Sequence, residues 1–218
     1  MTDNRSPITV LRPTVFVIDD DASVRKGLSR LLRSAGFEVE TFASAELFLG
    51  REHYDGIGCI VLDVRMPGIG GIELHDELSK ADYHMPVIFI TGHGNIPMGV
   101  KAMKKGAVDF LAKPFDDEEL LQAVGEALER DKQGRAKHAE GLAIRGRLNL
   151  LTAREQEVLR YVITGMPNKQ IAHELGIAEK TVKIHRGRIM QKMGVDSIAK
   201  LVRLAEKAGI ALPDKEVR

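Results

Sequence analysis

Five parallel strands sandwiched between helices, then a small all-α unit of four helices, are what this 218-residue chain predicts: an α/β doubly wound fold followed by a helical one. Three observations lead there. From residue 14 to about 130, short apolar runs alternate with stretches of helical periodicity, as strands covered on both faces require. From residue 151 the strand signal vanishes and only helix caps and helix-period apolar residues recur. Charge divides at the same place. Residues 14–122 carry 11 Lys/Arg against 18 Asp/Glu, and residues 151–218 carry 13 against 8. An acidic half and a basic half suggest two domains, the second facing a polyanion.

The strands read as Thr14–Ile18, Val39–Phe42, Cys59–Leu62, Val87–Ile90 and Ala107–Leu111, each short and apolar. Between the first two, Val24, Leu28, Leu31 and Leu32 fall on one helix face, with Asp21 placed as the N-cap rather than as a ligand. Leu74 and Leu78 repeat that spacing after Gly70–Gly71. The run DDEELL opens the fifth helix with Asp116 as cap, its acids suiting the positive end of the helix. Residues 131–150 break the rhythm: Gly134, Gly141 and Gly146 interrupt a polar segment that reads as an interdomain linker. Beyond it, Thr152-x-x-Glu155 is a capping box ahead of Val158, Leu159 and Val162. A turn at Gly165–Pro167, a helix over Asn168–Leu175, a turn at Gly176 and a longer helix over Glu179–Met193 follow. Ser197 caps a last helix ending near Ala208. The tight turn between the second and third of these helices marks a helix-turn-helix module. The expected divisions are a tail over 1–13, an α/β domain over 14–130, a linker over 131–148, a helical domain over 149–212 and a tail over 213–218.

Some classes drop out. No stretch approaches the roughly 20 apolar residues of a membrane span, and MTDNRSPITVLRP is too polar for a signal peptide. The one cysteine, Cys59, lies in an apolar strand and reads as a buried small hydrophobe. A lone cysteine forms no internal disulfide, so a cytoplasmic location is expected.

Asp19 and Asp20 end the first strand, Asp63 closes the third, and Lys113 stands before Pro114 after the fifth. In an open parallel sheet such ends converge on one crevice. Two carboxylates from one strand and one from its neighbour make an oxygen-rich pocket suited to Mg²⁺. A metal beside Asp63 neutralises charge on a phosphoryl group, which points to a carboxylate that receives one. In the helical half, the second helix of a helix-turn-helix enters the major groove. Lys180, Thr181, Lys183, Ile184 and His185 occupy its first half, and Arg186 and Arg188 follow. Lys169, Lys180, Arg186 and Arg188 are expected on phosphates, which position without specifying sequence.

Residues 14–122, with TVFVIDD, CIVLDVRMPG and ITGHGNIPMGVKAMKKGAVDFLAKPF, resemble the CheY-like receiver domain of bacterial two-component response regulators. Residues 150–210, with LTAREQEVL, NKQIAHELGI and KTVKIHR, resemble the LuxR-type helix-turn-helix. Together they resemble the NarL/FixJ family, and in particular its FixJ branch with the styrene-type regulators. The resemblance implies that Asp63 is the phosphoacceptor for a sensor histidine kinase. It implies that Asp19, Asp20, Asp63 and the backbone carbonyl of Arg65 serve Mg²⁺. Thr91 and Lys113 are then the phosphoryl-binding pair, Phe110 is the aromatic switch, and the Lys113–Pro114 bond is cis. Lys183 and Ile184 match base-contacting positions, while Gly187, at the next such position, offers no side chain. Bulky Arg65 and His93 stand where receivers admit the hydrolytic water, which predicts a phosphoryl lifetime of minutes or longer. The implied protein is no turnover enzyme beyond self-phosphorylation from a phosphodonor and slow self-dephosphorylation. Its expected partners are promoter DNA, RNA polymerase and, once phosphorylated, a second copy of itself, through a helix at Pro97–Lys105 and the fifth strand. Two rival readings fit these residues less well. A Mg²⁺-dependent phosphatase of the dehalogenase type needs an acid two residues after its nucleophile, where Arg65 stands. A phosphorylation-independent DNA-binding regulator has no need of the intact Asp19, Asp20, Asp63, Thr91 and Lys113.

Overall fold

The computed structural model describes residues 12–81, 83–92, 99 and 102–210. Most of the two tails, and His93, lie outside the described residues. Of the helix expected over Pro97–Lys105, residues 99 and 102–105 are described; 99 and 102–104 are helical and Lys105 is in a turn. The chain divides into two compact units, Met1–Gly134 and Arg135–Arg218.

The first unit holds strands β1 (Thr14–Ile18), β2 (Glu38–Phe42), β3 (Gly58–Asp63), β4 (Val87–Thr91) and β5 (Asp109–Ala112). All pair in parallel, in the order β2-β1-β3-β4-β5. Helices α1 (Ala22–Ser34), α2 (Ala45–Leu49), α3 (Gly71–Lys80) and α4 (Asp117–Asn149) accompany them. Every residue of β1, β3 and β4 is buried, which is why their sequences are continuous apolar runs rather than alternating ones. Alternate residues feed two cores. Val15, Val17, Val61, Ile88 and Ile90 pack with Leu28 and Leu32 of α1 and Leu120 and Val124 of α4. Phe16, Ile18, Ile60, Leu62 and Phe89 pack with Phe48 of α2 and Leu74 and Leu78 of α3. The fifth strand starts two residues later than the apolar run: the Ala107 amide still closes the preceding turn onto the Ala102 carbonyl, and the Val108 amide makes the first bond to β4, at the Val87 carbonyl. Asp21 caps α1, accepting from the amides of Ser23 (2.7 Å) and Val24 (3.4 Å).

The second unit packs α5 (Ala153–Val162), α6 (Asn168–Glu174), α7 (Glu179–Met193) and α8 (Ile198–Lys207). They surround a core that includes Val158, Leu159, Ile171, Val182, Ile189, Met193 and Leu201. Both halves of the Thr152–Glu155 capping box form. The turn between α6 and α7 passes through Gly176 at φ +61°, a left-handed conformation that suits glycine.

The segment expected as the linker is helical. Residues 131–148 belong to α4, which runs unbroken from Asp117 to Asn149. Three glycines cost a helix about 1 kcal/mol each relative to alanine. The intervening Lys, Gln, Arg, Ala, Glu and Leu are good helix formers and no proline interrupts them. Both ends are fixed: Leu120, Ala123, Val124, Ala127 and Leu128 lie in the first unit's core, and Ile144 lies in the second's. Asp131 is also buried and accepts a hydrogen bond from the Gly58 amide (3.0 Å).

Candidate functional site

The strand order reverses between β1 and β3, and ligand sites of open parallel sheets form outside the carboxyl ends at such a point. Ile18 is in register with Leu62, so the next residues, Asp19 and Asp63, emerge side by side. Both are buried, at 1% and 6% exposure. Lys113, just past β5, reaches back between them, its Nζ 2.6 Å from Asp19 Oδ2 and 2.7 Å from Asp63 Oδ1. The Asp63 Oδ2 atom accepts from the Arg65 amide (2.6 Å) and Asp19 Oδ1 from the Asp21 amide (2.8 Å). Burial pushes the Asp19 carboxyl above its ordinary value, against the pull of Lys113 and the Asp21 amide. Burial alone would lower the Lys113 ammonium, but its bonds to Asp19 and Asp63 outweigh this and hold it above the ordinary lysine value.

Thr91 ends β4, is almost fully buried, and its carbonyl accepts from the Lys113 amide (2.8 Å). The Lys113–Pro114 bond is cis. Phe110 is half-buried on β5, and a Cβ placed on Gly99 would come within 3.2 Å of its ring. Asp20, by contrast, is exposed. Among the described residues no three His, Cys, Asp or Glu side chains come together as a cation cage. Consecutive residues at a strand end point to opposite sides, so an inward Asp19 leaves Asp20 outward. Two buried carboxylates therefore converge, with Asp20 exposed next to them in sequence and the Arg65 carbonyl following in the loop. That still fits Mg²⁺, which takes one or two carboxylates and keeps several waters. It fits electrostatically too, since one ammonium faces two buried carboxylates.

Two contributors to the site escaped the sequence reading. A Cβ on Gly71, at the start of α3, would sit 2.2 Å from the Asp63 carbonyl oxygen, so only glycine lets the helix approach β3 this closely. The doublet Gly70–Gly71 was the available signal. Arg25 donates to the Asp19 carbonyl (2.6 Å), a bond that nothing in residue spacing announces.

In the second unit, Lys169, Lys180, Lys183, Ile184 and Arg188 are exposed, while Thr181, His185 and Arg186 are half-buried. Arg186 Nη1 donates to Asn168 Oδ1 (2.7 Å), tying α7 to the start of α6. It thus has a structural bond besides any phosphate contact. The outward set on α7 holds three cations, Lys180, Lys183 and Arg188, with one apolar side chain, Ile184, 47% exposed. Val182 and Ile189 turn into the core.

The family described as the response regulator receiver domain matches residues 15–125, and the luxR family of bacterial regulatory proteins matches residues 149–205. The chain is 50% identical to nodulation protein W of Bradyrhizobium diazoefficiens over 197 residues, 90% of this chain and 87% of that one. It is 47% identical to the transcriptional regulatory protein FixJ of Azorhizobium caulinodans over 201 residues, 92% of this chain and 95% of the relative. A low-resolution structure of the response regulator StyR matches with a TM-score of 0.81 at 53% identity, covering 90% of this chain and 99% of that chain.

Proposed function

Because the chain belongs to the NarL/FixJ response regulators, a receiver joined to a LuxR-type DNA-binding domain that regulates transcription, we propose that phosphoryl transfer to Asp63 is its switch. A receiver paired with a DNA-binding domain implies a histidine kinase on one side and DNA on the other. The observation that carries the proposal is Lys113 bridging two buried carboxylates at the point where the sheet's strand order reverses.

An Asp63 carboxylate oxygen attacks the phosphorus of a phosphohistidine. The P–O bond forms, the P–N bond breaks, and the imidazole nitrogen leaves with the electron pair, so Asp63 becomes an acyl phosphate. Asp19, Asp20, Asp63 and the Arg65 carbonyl would hold Mg²⁺, directly or through water, which would supply charge neutralisation for the phosphoryl oxygens. Lys113 then pairs with the phosphoryl group, and the Thr91 hydroxyl donates to one of its oxygens. Movement of Thr91 and Phe110 reshapes the surface of β5 and the helix before it, which favours a homodimer. The dimer sets two α7 helices on paired half-sites and engages RNA polymerase. Among the described residues no helix is long and apolar enough to cross a membrane.

The test is acetyl phosphate with Mg²⁺, read by intact mass and by oligomeric state. Wild type is expected to gain one phosphoryl group and dimerise, and Asp63→Asn to do neither. A wild type that gains no mass, or an Asp63→Asn variant that gains as much as wild type, overturns the reading.

A further inference from the structure

The luxR-family match begins at residue 149, yet the second unit's core already includes Ile144, 2% exposed, and Arg147, though itself exposed, reaches the far end of α7. Helix α7 ends at Gly194 in the left-handed conformation, φ +65°. The Gly194 and Val195 amides close onto the carbonyls of Gln191 and Met190. The carbonyls of the last two residues, Lys192 and Met193, have no further helical turn to bond to. Arg147 Nη1 donates to the Met193 carbonyl (3.1 Å). Arg147 itself stands in the last turn of α4. One guanidinium therefore serves the negative ends of two helices at once.

A second tie fixes the same end. Lys192 Nζ pairs with Glu155 Oε2 (2.6 Å) and donates to the Leu150 carbonyl (3.0 Å). Glu155 is buried, and the Lys192 ammonium with the Thr152 amide holds its carboxyl below the ordinary value despite the burial. At 1.5 Å per residue, the first turn of the 15-residue α7 lies about 20 Å from this anchor. Its exposed side chains, Lys180, Lys183 and Ile184, are therefore aimed by whatever fixes the opposite end.

We propose that Arg147 is a positioning residue for DNA recognition: through the Met193 carbonyl it sets the orientation of α7, and the functional DNA-binding unit begins at about Ile144. This rests on α7 being the recognition helix. Arg147 itself touches no DNA.

The test uses the full chain and a duplex that the phosphorylated wild type enriches from a random-sequence pool, with an unrelated duplex of equal length. Arg147→Ala is expected to lose about tenfold in affinity for the enriched duplex, the scale of a hydrogen bond to a charged group. Affinity for the unrelated duplex should stay within about twofold, with an unchanged salt slope, because no phosphate contact is removed. Amide exchange at Gly194 and Val195 should quicken. Arg147→Lys, which keeps the cation, should recover most of the enriched-duplex affinity. Unchanged affinity for the enriched duplex in Arg147→Ala overturns the proposal. So does an equal loss on both duplexes with a shallower salt slope, which makes Arg147 a phosphate contact, and so does failure of the lysine variant to recover. A wild type that enriches no sequence sinks the assignment of α7 itself, and this proposal with it.

Discussion

The two halves of this protein hold their working charges in opposite ways. In the receiver, Asp19, Asp63 and Lys113 are largely withdrawn from water and bonded to one another. In the DNA-binding unit, Lys169, Lys180, Lys183 and Arg188 stand in solvent, and the buried Glu155 carboxylate, paired with Lys192, holds the far end of α7 in place. A phosphoryl acceptor needs a dry, preformed set of charges, because each is strengthened where the dielectric is low. A DNA surface needs cations that reach outward and shed counterions. The receiver site is therefore rigid and intolerant of change, whereas the recognition face is tolerant in fold and sensitive in affinity.

The largest test of that contrast is Gly71→Ala. A methyl forced to within 2.2 Å of the Asp63 carbonyl moves α3 or the end of β3. Urea unfolding of the receiver should show a loss of about 2–3 kcal/mol, with phosphoryl uptake reduced. If stability and uptake are both unchanged, the close approach carries no weight. On the other side, Lys183→Ala should leave stability within about 0.5 kcal/mol. It should cost about tenfold or more on an enriched duplex and little on an unrelated one. Equal loss on both would recast Lys183 as a phosphate contact.

Glu155→Gln sharpens the comparison, because it removes a buried charge from the half whose other working charges are exposed. Its carboxyl is held below the ordinary 4.5, so the stability it contributes is present above that value and lost as pH falls through the lower folded value. The variant should be less stable than wild type by about 1 kcal/mol at pH 7. The gap should close below pH 4.5. A constant gap across that range would assign the effect to packing.

The smallest expected effect has the opposite sign. Asp19 is an acid raised by burial, so its ionisation opposes folding: the penalty is absent below its ordinary 3.8 and complete once pH passes the raised value. Asp19→Asn should therefore raise the receiver's thermal midpoint by a few degrees at pH 7 while impairing phosphoryl uptake, stability exchanged for function. A lowered midpoint would mean that the Lys113 bond outweighs the burial of Asp19.

The receiver was the more legible half. Its continuous apolar strands and the acids at their ends announce both the sheet and the crevice. Register then does the rest, since Ile18 opposite Leu62 brings Asp19 to Asp63 without further information. Periodicity shows which residues share a face of one element, not which residues far apart in sequence meet. That is why Arg147 on Met193, Lys192 on Glu155 and Arg186 on Asn168 went unread. It is also why the helical conformation of 131–148 went unread: three glycines are a local signal, and the packing of residues on either side of them is not. The five-residue α2, with Ser44 as its cap, is too short for a periodic pattern.

The buried bond between Asp131 and the Gly58 amide bears on the residue next to it. Cys59 is fully buried on β3, and burial together with the nearby Asp131 carboxylate pushes its thiol far above the ordinary value. Only a thiolate reacts readily with an alkylating reagent. In the folded receiver this sulfur is therefore chemically silent, and it becomes reactive only when the β3 region opens. The rate at which such a reagent consumes the chain's single thiol is a clock for that opening, already built into the sequence and needing no engineered label.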